Sequence, residues 1–166
     1  PLIAYNQDNS IYSLKVLGVV QDGGLPHLGS DRICCEDDDK KRYVSSIMLI
    51  NNETNESYLF DASPDINEQL NFMGKRIKKN LKGIFLTHAH IGHYTGLMYF
   101  GREALNSKLM NVYAMPRMKK FLEQNGPWSQ LVSLENISIT ELNNKSNIII
   151  DSNVAVQPIE VPHRAE

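Results

Sequence analysis

The apolar run Ile84–Leu86 stops abruptly at "THAHIGHYTGL", Thr87–Leu97, which carries three of the chain's five histidines, His88, His90 and His93. A short apolar run of this kind reads as a buried strand. Imidazoles at its polar end need an opening toward water or a ligand. Any fold for this chain must therefore bring a core strand to an edge and stop it there, so that a site begins where the strand ends. In extended backbone, residues two apart project to the same side, and His93 lies one helical turn beyond His90, so all three rings can converge on one point. Neutral imidazole is the commonest protein ligand for zinc and similar metals. Three of them at this spacing, directly after a buried strand, point to metal binding rather than to polar residues in a solvent loop. His163 follows another apolar strand much later in the chain and can close such a site from a distance.

The rest of the chain alternates strand-like and helix-like segments. "SLKVLGVV", from Ser13, reads as a strand entering the Gly- and Pro-rich turn "QDGGLPHLGS". "YVSSIMLINN" and "ESYLFDAS" flank a polar stretch and predict a hairpin. "SPDINEQLNFMGKRI" predicts a helix capped by Ser63, with Pro64 in its first turn and Gly74 at its end. "HYTGLMYFGREALN" is amphipathic enough for another helix, "NVYAMP" predicts a strand, and "PRMKKFLEQNG" a helix from Pro116 to Gly126. Three strand-like runs follow: "NISITEL", "SNIIID" and "VAVQPIEV". The charge run Glu36–Arg42 reads as a solvated connection.

Composition narrows the function classes. With 166 residues, 42% hydrophobic and 22% charged, the chain suits one globular domain over residues 1–166. A net charge of −2 provides no basic field for nucleic acid or an anionic membrane, so neither partner is expected. No apolar run approaches the roughly 20 residues of a membrane span. The chain begins at Pro1 rather than methionine, which leaves the compartment open between cytoplasmic and exported. Cys34 and Cys35 are adjacent, a poor geometry for a disulfide and too few for a structural zinc, so both are expected to be free.

"THAHIGH", together with "LFDASPD" before it and "VPHR" after it, resembles the successive metal-binding motifs of the metallo-β-lactamase superfamily. More narrowly, "LGVVQDGGLPHLGS" with "LTHAHIGHYTGLMYFGREAL" is similar to the branch that includes the pyrroloquinoline-quinone biosynthesis protein B. The resemblance implies a four-layer αβ/βα sandwich of the α/β (α+β) class, with metals held in loops at one edge of two sheets. It implies that His88, His90 and His163 hold a first metal, that His93 belongs to a second site, and that Asp61 organises the histidine loop through hydrogen bonds. Zinc, one or two ions, is the implied cofactor, with iron or manganese as alternatives. Gly92 stands where the family has an aspartate, which removes one second-site ligand. The family's second half would follow Glu166, so the chain is expected to hold mainly the N-terminal half, truncated at its C-terminal side.

Within "QDGGLPHLG", Asp22 and His27 read first as incidental polar residues of a glycine-driven turn and second as substrate contacts near the metal cleft. The leading functional expectation is a metal-dependent hydrolase of small anionic esters or phosphodiesters. The alternatives are a redox-metal oxygenase or cofactor-maturation enzyme, and a degenerate non-catalytic metal-binding relative. The partner expected is a small-molecule substrate, with self-association left open.

Overall fold

Residues 10–32 and 41–163 are described in a computed structural model. Cys34, Cys35 and most of the Glu36–Arg42 charge run lie outside them, so the expectations made there are not addressed.

Six strands form one mixed sheet in chain order: β1 (Tyr12–Gly18), β2 (Ser46–Asn51), β3 (Ser57–Phe60), β4 (Leu81–Phe85), β5 (Met110–Ala114) and β6 (Ile137–Glu141). The first three pair antiparallel, as the polar turn between β2 and β3 dictates; β3, β4, β5 and β6 run parallel. Parallel neighbours need crossovers, and these are helical: α1 (Ile66–Phe72) and α2 (Gly74–Lys79) before β4, α3 (Pro116–Gln124) and α4 (Trp128–Ser133) before β6. A separate hairpin, β7 (Ile148–Asp151) with β8 (Val154–Val156), completes the described elements.

The core fills the space between one sheet face and the helices. Met48, Leu59, Ile84 and Val112 from the sheet meet Ile66, Leu97, Phe100 and Leu122 from the crossovers. Ile84, Val112 and Leu122 are wholly buried, each contributing about 1.5–3 kcal/mol relative to exposure. On the opposite face Phe60, Phe85 and Tyr113 stack across β3, β4 and β5, with ring centroids 5.1 and 4.1 Å apart. β4 is thus covered on both sides, which explains its unbroken apolar reading. Of the four layers expected, the described residues supply one sheet, its helical cover and the hairpin. No described helix is long and apolar enough to cross a membrane.

Three local expectations change. The helix expected over "HYTGLMYFGREALN" is instead two 3₁₀ segments, Ile91–His93 and Thr95–Phe100. The Ala62 N–H donates to the His93 carbonyl and the Gly96 N–H to the Ala62 carbonyl, both at 2.9 Å. These bonds tie the segment to the end of β3 and compete with α-helical pairing. Gly74, at φ +78°, divides the first crossover into α1 and α2 instead of ending it. α4 was not anticipated, because six residues are too few to show a period; Trp128 at its start packs on Tyr94 and Phe121.

Candidate metal centre

Parallel pairing aligns Phe60 with Phe85, so β3 and β4 end side by side at one edge of the sheet. Asp61, directly after β3, and Thr87, two residues after β4, become neighbours there, at the strand ends where α/β sheets place their sites. Asp61 adopts φ +68°, a left-handed conformation that aspartate tolerates better than most residues. That turn aims its nearly buried carboxylate at the histidine loop. The Thr87 N–H donates to Asp61 Oδ1 at 2.8 Å, and the Thr87 hydroxyl lies 2.8–2.9 Å from both carboxylate oxygens. His93 Nδ1 lies 2.7 Å from Asp61 Oδ2. Asp61 thus joins Thr87 and His93 through one carboxylate, and contacts of this kind orient neighbouring imidazoles.

The same carboxylate fixes tautomers. The Thr87 hydroxyl donates to Asp61 and so can accept from His88 Nδ1–H, 2.9 Å away. That leaves His88 Nε2 pointing out, 2.9 Å from His90 Nδ1. Thr87 was not singled out from the sequence; a threonine after a strand carries no signal until a carboxylate is found beside it. Burial, followed by the nearby His93 and His90 rings, holds the His88 imidazole below its ordinary pKa, which favours the neutral form that binds metals. The Asp61 hydrogen bond raises His93 instead.

His163 arrives from beyond β8, and its ring centroid lies 5.0 Å from that of His88 and 4.8 Å from that of His90. One ligand atom from each of His88, His90 and His163 can be chosen so that all lie within 4.8 Å of one another. His93 sits beside this group, 4.0 Å from His88 between ring centroids. An all-imidazole set of this kind suits zinc, and equally iron or copper.

The glycine-rich loop also reaches the site. Asp22 Oδ1 lies 3.4 Å from His93 Nε2, which brings this residue of the loop beside the histidines. The loop is pinned by backbone bonds, Arg42 N–H to the Leu25 carbonyl at 2.8 Å and Ser45 N–H to the Val20 carbonyl at 2.9 Å. His27 stays exposed, its ring lying over Gly23, and is not among the three that converge.

The sequence profile of the beta-lactamase superfamily domain matches residues 56–166. No curated protein matches the chain. Among solved structures, the Zn(2+)-bound PqqB from Methylobacterium extorquens superposes with a TM-score of 0.74 at 20% identity, covering 91% of this chain and 52% of that one. A diphosphatase from the PhnP family gives 0.63 at 23% identity, covering 84% and 53%. The metallo-beta-lactamase fold protein YhfI from Bacillus subtilis gives 0.55 at 12% identity, covering 84% and 49%. These are likenesses of fold, and the chain spans about half the length of each of these proteins.

Proposed function

The chain belongs to the beta-lactamase superfamily, and from that premise we propose that it is a metal-dependent hydrolase of phosphodiesters or other small anionic esters. The observation that carries this reading is the convergence of His88, His90 and His163, two from the end of β4 and one from far along the chain. Those three residues hold the metal, zinc being the first choice for an imidazole set. A metal held there would draw the pKa of water toward about 7 and would polarise a phosphoryl or carbonyl oxygen. Asp61 and Thr87 keep the rings turned inward, and the half-buried setting of His88 keeps it neutral. Gly92 has no side chain to act as a base. The substrate class is drawn by analogy with the family, supported by the fold likeness to a diphosphatase.

A second reading, a redox-metal oxygenase or cofactor-maturation enzyme, draws on the all-imidazole character of the converging group, which also suits iron or copper. The two separate in one set of measurements. Protein purified without added metal is assayed for metal content, for hydrolysis of bis(p-nitrophenyl) phosphate and for oxygen consumption. The hydrolase reading expects zinc, chelator-sensitive hydrolysis, and loss of both in His88→Ala and His163→Ala. Iron with oxygen uptake and no hydrolysis overturns it in favour of the second reading, and a bound metal with neither activity leaves a non-catalytic relative.

A further inference from the structure

From sequence alone, Gly92 is a loss, a ligand position without a ligand. The structure puts another carboxylate in that place. A Cβ built on residue 92 would lie 2.7 Å from Asp22 Cα and 2.8 Å from both Asp22 Cβ and Cγ. The volume that a side chain at 92 would enter is therefore already filled by Asp22, and only glycine lets the two segments approach so closely. Asp22 is partly exposed and His93 nearly buried, so the carboxylate faces the imidazole from the open side of the site.

The orientation of His93 adds a second argument. Its Nδ1–H donates to Asp61 Oδ2 at 2.7 Å, so in the neutral ring Nε2 turns its lone pair toward Asp22 Oδ1, 3.4 Å away. Such a facing pair is bridged by a proton on the ring or by a metal ion shared between the two atoms, and the distance separates these cases. That separation exceeds the usual 2.7–3.2 Å of an N–H···O hydrogen bond. It matches the roughly 3.3–3.4 Å between two ligands that share one tetrahedral ion at about 2.0–2.1 Å from each.

We propose that Asp22 stands in for the acid absent at position 92, and that Asp22 with His93 forms a second divalent-metal position beside His88, His90 and His163. The carboxylate comes from the loop after β1, not from the histidine motif. Residues 22 and 92 act as a matched pair, an acid on one segment and a glycine on the other. The proposal rests on the reading of the histidines as metal ligands.

Metal-free protein is titrated with Zn(II) and, separately, with Co(II); stoichiometry is read by mass spectrometry after dialysis, and coordination by the Co(II) absorption spectrum. The wild type is expected to bind two ions. Asp22→Asn is expected to bind one tightly, with the second weakened by at least about tenfold and its Co(II) bands lost, whereas Asp22→Glu recovers part of the second binding. Gly92→Ala is expected to lose the second ion too, because the added methyl group pushes the Asp22 loop away; circular dichroism verifies that each variant is folded. Two ions held with unchanged affinity and spectrum in Asp22→Asn overturn the proposal. So does a single ion in the wild type that is lost in His88→Ala, which leaves the metal-binding reading intact. A wild type that binds no ion overturns that reading itself, and the second position with it.

Discussion

Asp61 gathers the greatest number of site contacts onto one side chain. Its carboxylate accepts from the Thr87 amide and hydroxyl and from His93, while its backbone holds a left-handed turn. Asn also tolerates that conformation, so Asp61→Asn is expected to fold but to bind metal about 10–100-fold more weakly, measured by competition with a chelator. Thr87→Val removes the hydroxyl that His88 leans on and is expected to weaken binding in the same direction by about tenfold. At Gly96 a Cβ would lie 2.2 Å from the Ser63 carbonyl. Gly96→Ala is therefore expected to cost about 1–3 kcal/mol in urea unfolding, as overpacking does. The histidines were legible in the sequence because their spacing is itself a geometric statement. Thr87 was not, and Asp22 was legible only as a second-ranked residue near the cleft, since each has its neighbours on another strand or loop.

Among the elements, the β7–β8 hairpin has the least core of its own and precedes His163. It is fastened by Asn51, whose side-chain amide donates to Asp151 Oδ2 at 3.0 Å, and by the Tyr58 hydroxyl, which donates to the Ile150 carbonyl at 3.1 Å. The Asn51 amide, followed by Tyr12, holds the Asp151 carboxyl below the usual carboxylate range. A depressed folded pKa means that this fastening is fully present above the unfolded value of about 3.9 and is lost as pH falls through the lower folded value. Amide exchange of residues 148–156 is expected to accelerate in that acid window and, in Asp151→Ala, to be fast at neutral pH as well. Strands were the readable elements because β-branched alternation needs few residues. The 3₁₀ segments were misread as a helix because their apolar spacing is helical, while their hydrogen bonds go to the end of β3.

For the molecule as a whole, a ligand that binds only the folded state stabilises it by mass action. Zinc at about 100 times its dissociation constant adds about 2.7 kcal/mol, or about 5–10 °C in melting temperature for a domain of this size. Removing metal from wild type is expected to lower the melting temperature by that amount. His163→Ala, an exposed position, is expected to melt near the metal-free wild type and to gain little from added zinc. The sequence by itself determined most of the strands, the family resemblance and the histidine cluster, because each of those depends on periodicity and spacing within a short stretch. Tertiary structure alone decided that Thr87 and Asp61 meet, how near the His163 ring lies to those of His88 and His90, and that Asp22 fills the space left by Gly92. Such contacts join segments that are remote in the chain, and their geometry is fixed by strand register and loop packing, which no local pattern of residues encodes.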